Sequence, residues 1–430
     1  MIVGTIGIII MMVIVCLGLP IAVSLFLVGF GGLLLLVGFG PTFAASAPML
    51  YNYIAKYEFS VIPMFIFMGN IGFYSGLFND IFDVARKWIG RIPAGLAVSV
   101  VVAQCIFGAC SGSSVAACVV IGKASYPFMK KAGYPDYLST GVIAGTGTLA
   151  MLIPPSISIC IFGLLVDQSI GRLLIGGVIP GLLSGAIFSV ILIIWSGKKV
   201  PRDLTRYSFK EKISSLRYLW VVVVLIFAII GGIYSGVCTP TEAAAFGTFA
   251  IFLMALFARR LGREMMWKSI RSTISATGMI LIIIIAAVLF ARFLTLSGFS
   301  RGLSEWVTTV EAPLIVIFSI MVVIYLVLGC FVGSTGMMVM TLPTFYPLAM
   351  ALGWDPVWFG IEVVILCEIA VMTPPVGVNL YATKSIAPGV PLTTVIRGVM
   401  PFVYRDIGII YLLYFFPQIV TFLPNLMMGK

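Results

Sequence analysis

The chain has 430 residues, 61% of them hydrophobic and only 10% charged, with a net charge of +11 and no histidine. A water-soluble domain needs a charged shell that this composition cannot supply, so the chain reads as an all-α integral membrane protein. The missing histidine excludes His-based proton relays, His–metal sites and His-dependent nucleophiles, and the basic excess does not point to nucleic acid, because Lys and Arg gather in short segments between apolar runs, as the positive-inside rule expects.

The first apolar run, residues 2–19, has no basic residue before it, and Lys56 is the first charge in the chain. It reads as a membrane segment in the lipid bilayer rather than a secretory signal. Further long apolar runs lie at 173–195, around 219–234 and at 275–290. The eight cysteines mostly fall inside such runs and form no CxxC pair, so they read as buried, inert thiols.

Residues 92–121 are apolar but carry "GACSGSSVA" at 108–116. Arg86, Lys87 and Arg91 precede this segment, and Lys123, Lys130 and Lys131 follow it. Basic flanks on both sides predict entry and exit by one face. About 30 residues is short for two crossings of ~20 each, so the spacing predicts a re-entrant hairpin. Its tip falls at Ser111, Gly112, Ser113 and Ser114. The next apolar stretch, 138–166, holds "GTGT" (Gly145, Thr146, Gly147, Thr148) and "MLIPPS". Pro154 and Pro155 remove two backbone donors, which predicts a broken span whose upstream carbonyls lack helical partners. Asp167 and Arg172 are expected in an external turn, paired with each other or with water.

Residues 198–217 form a basic linker that includes Lys198 and Lys199, and 259–271 form a second basic segment. Both are predicted to be cytoplasmic. "CTPTEAAAFG" at 238–247 reads as a helix start, with Thr239 as N-cap, Pro240 at N1 and Glu242 closing a capping box. Capping therefore outweighs ion translocation for Glu242. A second hairpin is predicted over 314–350, its tip "GSTG" at Gly333, Ser334, Thr335 and Gly336. A second broken span follows over 357–385, with "VMTPPV" at Thr373, Pro374 and Pro375. Glu362 and Glu368 lie inside that span. An intramembrane carboxylate is a functional candidate, and Glu368, five residues before Thr373, ranks first.

The two halves share a register. Pro154 and Pro374, Gly133 and Gly353, Ala150 and Ala370, and Pro20 and Pro240 are each 220 residues apart. Gly177, Val178 and Pro180 match Gly398, Val399 and Pro401 one residue later, and Gly112 faces Gly333 at 221. The expectation is two repeats, 1–197 and 218–430, joined by the linker. The second hairpin is flanked by Arg301, Glu305, Glu311 and Asp355, with no Lys or Arg from 302 to 383. Basic flanks on one hairpin and bare flanks on the other predict inverted repeats, a layout typical of secondary transporters. The same charge pattern predicts about ten full spans of ~20 residues, two non-spanning hairpins and both termini outside.

Non-helical backbone at membrane depth is tolerated only beside protein or a water-filled cavity. Free carbonyl and hydroxyl oxygens suit a hard cation such as Na⁺, while half-helix N-termini favour an anion. Ser/Gly clusters also mediate close helix packing. Here the cluster recurs at the repeat offset beside a recurring Pro-Pro break, which favours a transport site over packing alone.

"GACSGSSVA", "GTGTLAMLIPPS", "GGIYSGVCTPTEAAA" and "TPPVGVNLY" together resemble the large membrane subunit of tripartite ATP-independent periplasmic (TRAP) transporters, over essentially the whole chain. The resemblance implies Na⁺-driven uptake of an organic acid anion, such as a dicarboxylate or sialic acid, across the bacterial inner membrane by an elevator motion. It implies two partners: a small four-helix membrane subunit, expected here as a separate chain, and a soluble periplasmic substrate-binding protein. Carried over by motif, one Na⁺ lies between Ser111, Gly112, Ser113, Ser114 and the break at Gly145, Thr146, Thr148 and Pro154. A second lies between Gly333, Ser334, Thr335 and the break at Glu368, Thr373 and Pro374. Substrate lies near Ser113, Ser114, Ser334 and Thr335.

With no Lys or Arg in 132–171 or 302–383, anion affinity is expected to depend on bound Na⁺. Rival readings are a stand-alone Na⁺- or H⁺-coupled carboxylate symporter, an intramembrane enzyme with Ser111 or Ser113 as nucleophile, and a non-transporting scaffold. The enzyme lacks a base: there is no histidine, and no lysine within 92–121.

Overall fold

A computed structural model describes residues 1–197, 200–203, 205–310 and 312–428. The expectations resting on Lys198, Lys199 and Glu311 lie outside the described residues. Among the described residues every regular element is helical.

Five helices have the length and composition to cross a membrane: Ile170–Ser196, Phe209–Tyr234, Pro240–Phe257, Arg263–Leu296 and Leu392–Phe415. A sixth span forms if Asp136–Leu152 and Ile157–Leu165, bent by 46°, are taken together. The expected count of about ten is therefore not reached by helix length. Ile2–Cys16, Ile21–Val37 and Leu314–Gly329 have 15 to 17 residues, about 24 Å of helix against a core of ~30 Å. Apolar runs in the sequence count residues, whereas turns at Gly18 and Gly38, both at positive φ, cut those runs into shorter rods.

The first hairpin consists of Gly95–Ser111 and Ser114–Lys131, joined through Gly112 and Ser113. It extends ten residues beyond the boundary read from the sequence, because Lys123, Lys130 and Lys131 lie on its second arm rather than after it. The second hairpin consists of Leu314–Gly329 and Ser334–Ala351. Both second arms end on a left-handed glycine, Gly133 at φ +82° and Gly353 at φ +75°. In each case the amide after the glycine turns back onto a carbonyl of the last turn (Tyr134 N to Met129 O at 3.0 Å, Trp354 N to Ala349 O at 3.1 Å), the closure that a Cβ-free residue permits. The glycine match at offset 220 is thus a pair of helix terminators. Both Pro-Pro bonds are cis.

The tips themselves do not match residue for residue. Ser113 is the N-cap of one second arm and Gly333 of the other, so it is Ser113, not Gly112, that faces Gly333. The second tip is two residues longer, running from Cys330 to Gly333, and has no counterpart of the left-handed Gly112. The capping box at Thr239 forms as expected: Thr239 N donates to Glu242 Oε2 at 2.8 Å and Glu242 N to Thr239 Oγ1 at 3.3 Å.

Two glycine contacts set the frame around the breaks. A Cβ at Gly108 would lie 2.7 Å from Ala150 Cα, and one at Gly329 would lie 2.9 Å from Ala370 Cα. Each hairpin therefore rests a glycine on the alanine of its own broken helix. Across the halves, Gly141 meets Gly398 backbone to backbone, which locks Asp136–Thr146 against Leu392–Phe415. Close approach of this kind is how helices gain packing energy in lipid, where apolar burial gives little.

Candidate functional site at the hairpin tips and helix breaks

At the first tip, Gly112 adopts φ 59°, ψ 14° and Ser113 is extended. Ser113 Oγ accepts from Ala116 N at 3.4 Å, and Ser113 N donates to Ser111 Oγ at 3.4 Å. A Cβ on Gly112 would stand 2.7 Å from the Pro155 carbonyl oxygen and 3.2 Å from Ile157 N. The tip is therefore seated on the break. One arm residue on, the Ser114 carbonyl lies against Gly147.

Buried hydroxyls line this junction. Thr148 Oγ1 donates to Gly145 O at 2.8 Å. Thr146 Oγ1 has two acceptors for its one hydrogen, Val142 O at 2.8 Å and Gln104 Oε1. Ser156 caps the helix after the break, accepting from Ile159 N at 3.3 Å while donating to Met151 O. Each hydroxyl hydrogen is thus aimed at protein, which leaves oxygen lone pairs as what the site can present. Lone pairs suit a cation.

Some predicted ligands face elsewhere. Gly145 packs its Cα on Phe402, and the Ser111 carbonyl faces Gly69 of helix Val61–Tyr74. Pro154 lines a small apolar crevice with Leu174, Ile229 and Tyr234. Of the two prolines it is Pro155 whose carbonyl meets the tip.

The second junction is more open. Nothing stands within 4 Å of a Cβ on Gly333. Ser334 and Thr335 are half-buried, and their hydroxyls have no hydrogen-bond partner among the described residues. The Ser334 carbonyl accepts from Cys367 Sγ at 3.6 Å, and Thr373 Oγ1 donates to Ile369 O at 2.5 Å. Glu368 is 2% exposed, and among the described residues its Oε1 has no hydrogen-bond partner, nor has either oxygen of the fully buried Glu362. No hydrogen bond joins Ser113 or Ser114 to Ser334 or Thr335 among the described residues.

Three buried polar groups escaped the sequence reading. Asn379, inside the quoted "TPPVGVNLY", donates to Ala144 O at 3.4 Å and so joins the second break to the first. Arg405 and Asp406 form a buried ion pair, with Arg405 also donating to Ser184 O at 2.9 Å and covering the Phe188 ring. Glu368 lies within electrostatic reach of both. The signal was present: an Arg-Asp pair in the middle of an apolar helix. Asp167 and Arg172 also differ from expectation, since Asp167 pairs with Lys56 at 2.9 Å and Arg172 donates to Asn425 at 3.0 Å. Both partners are more than 100 residues away in sequence.

Residues 8–419 match the family described as "Tripartite ATP-independent periplasmic transporter, DctM component". The chain belongs to this family. The permease is 34% identical over 404 residues to a C4-dicarboxylate TRAP transporter large permease protein of Pseudomonas aeruginosa, covering 92% of this chain and 93% of that one. It is 29% identical over 413 residues to a sialic acid TRAP large permease of Vibrio cholerae, covering 96% of each. It is 32% identical over 424 residues to an ectoine/5-hydroxyectoine TRAP large permease of Ruegeria pomeroyi, covering 98% of each. A solved structure, the YdaH transporter of Alcanivorax borkumensis, superposes with a TM-score of 0.65 at 13% identity, over 89% of this chain and 90% of that one. It shares the fold. The permease is a multi-pass membrane transport subunit and not an enzyme, so the serine-nucleophile reading is closed.

Proposed function

We propose that the permease carries out Na⁺-coupled uptake of a small organic acid anion across the bacterial inner membrane, by an elevator motion of the part that holds the hairpins and breaks. The observation that carries this reading is the first junction: Gly112 rests on the Pro155 carbonyl while Thr146 and Thr148 turn their hydroxyl hydrogens into helix carbonyls. That leaves an oxygen-lined, lone-pair-rich break at membrane depth. Na⁺ sits there and at the second junction near Glu368 and Thr373. The substrate carboxylate lies by Ser113, Ser114, Ser334 and Thr335. A small membrane subunit and a soluble periplasmic binding protein complete the three-part system that the family name describes.

Arg405 does not supply the missing countercharge for an anion, because Asp406 already balances it. Affinity for the anion therefore depends on Na⁺. Two Na⁺ with one monoanion move one net positive charge inward, worth ~2.3 kcal/mol per 100 mV, or about fifty-fold in accumulation. Binding of a panel of labelled organic acids to purified permease is expected to weaken about tenfold or more in choline medium relative to sodium medium. Equal binding in the two media overturns the coupling.

Thr335→Ala separates a transport role from a structural one. The Thr335 hydroxyl has no hydrogen-bond partner among the described residues, so thermal stability is expected to stay within about 0.5 kcal/mol while uptake in proteoliposomes falls. Ser113→Ala removes a cap and costs about 1 kcal/mol as well as uptake. Intact transport in both variants counts against the site.

A further inference from the structure

The chain has a cavity lined by basic side chains, far from both breaks in sequence. It has a volume of about 520 Å³ and lies between helix Ile81–Ile89 and the linker helix Phe209–Leu216. Lys87, Lys210 and Arg217 line it, with Ser208, Glu211 and Tyr218. The Glu211 carboxylate is engaged by Ser208 N at 2.6 Å, and Lys87 also pairs with Asp83 at 2.7 Å. Lys210 has no hydrogen-bond or ion-pair partner among the described residues. Trp88 Nε1 donates to Lys212 O at 3.2 Å and ties the two helices together beside the cavity.

Beside the basic face runs an apolar one. Phe209, Ile213, Leu216 and Trp220 are 71%, 50%, 42% and 47% exposed. Their spacing of four, three and four residues makes one stripe along the helical run Phe209–Tyr234, which tightens to a 3-10 turn at Arg217–Leu219, about a quarter-turn from Lys210 and Arg217. The stripe is about 17 Å long at 1.5 Å per residue, and it leads directly into the apolar span that ends at Tyr234. A cationic pocket next to an exposed apolar stripe at the end of a span is complementary to an anionic headgroup with its acyl chain.

We propose that this cavity binds an anionic phospholipid of the cytoplasmic leaflet, its phosphate held by Lys210, Arg217 and Lys87 and an acyl chain lying on the Phe209–Trp220 stripe. The lipid then bridges the helix that leads into the first hairpin and the linker between the halves. The leaflet rests on the cytoplasmic orientation of the basic linker proposed from the charge pattern.

The test is native mass spectrometry of the purified permease offered equal amounts of phosphatidylglycerol and phosphatidylcholine. The wild type is expected to retain phosphatidylglycerol preferentially. Each basic side chain near a membrane surface contributes up to about five-fold, so the Lys87→Gln/Lys210→Gln/Arg217→Gln variant is expected to lose about tenfold or more of that preference. A charge-matched control, Lys123→Gln/Lys130→Gln/Lys131→Gln, is expected to keep it. No preference in the wild type, equal loss in the control, or displacement of the lipid by millimolar inorganic phosphate overturns the site. So does unchanged lipid binding in the first variant together with loss of the small membrane subunit on co-purification, which would assign the stripe to that subunit. A Ser214→Cys variant labelled by an impermeant maleimide in inverted vesicles, and not in right-side-out ones, supports the leaflet. Labelling from outside overturns orientation and leaflet together, whereas cytoplasmic labelling without lipid preference overturns the site alone.

Discussion

Gly112→Ala is expected to reduce Na⁺-dependent uptake more than about a hundredfold while Gly333→Ala has a mild effect. Gly112 stands at φ +59°, where an L-residue pays roughly 1–2 kcal/mol. The added methyl also falls 2.7 Å from the Pro155 carbonyl oxygen and near Ile157 N. These are backbone atoms of a proline break with no rotamer to yield, so the tip must lift from the break. A shift near 1 Å is enough to cost two orders of magnitude where function needs fixed geometry. Gly333, the tip glycine of the other hairpin, is the N-cap of its second arm at φ −69°, with open space around it. The comparison separates a tip seated on its break from one that is not. Initial uptake rates in proteoliposomes with equal amounts of inserted protein decide it. Wild-type rates for Gly112→Ala, or equal losses for the two variants, would show that the Gly112–Pro155 contact is not needed.

Arg405→Gln is expected to destabilise the permease by about 3–5 kcal/mol, the range for removing one partner of a buried ion pair. Asp406 is fully buried and Arg405 nearly so. Without the guanidinium, Asp406 has no countercharge, Ser184 O loses a donor and the Phe188 ring loses its cation. The Arg405→Gln/Asp406→Asn double variant is expected to recover much of the loss, because two neutral groups leave no uncompensated charge. Thermal unfolding in detergent measures both. A double variant whose loss equals the sum of the two singles would mean that the side chains act independently.

The hairpins and breaks were legible because they are set by chemistry within a few residues. Proline lacks an amide hydrogen, so Pro154–Pro155 and Pro374–Pro375 end helices wherever they fall. Gly133 and Gly353 stop helices by taking a conformation that other residues resist, and Thr239 with Glu242 starts one. Lone charges were harder. Asp167 looked like a partner for Arg172, five residues on, but its turn at φ +52° carries it to Lys56 instead.

The sequence by itself determined the membrane class and the places where helices stop. Local backbone chemistry and apolar run lengths suffice for those. Only the tertiary structure decided that Pro155 rather than Pro154 meets the tip, that Ser113 and not Gly112 corresponds to Gly333, and that Arg405 and Asn379 bind carbonyls 221 and 235 residues away. Those outcomes depend on how separate helices approach, through contacts such as Gly141 on Gly398, and the residues that meet there carry no local mark of the partner they will find.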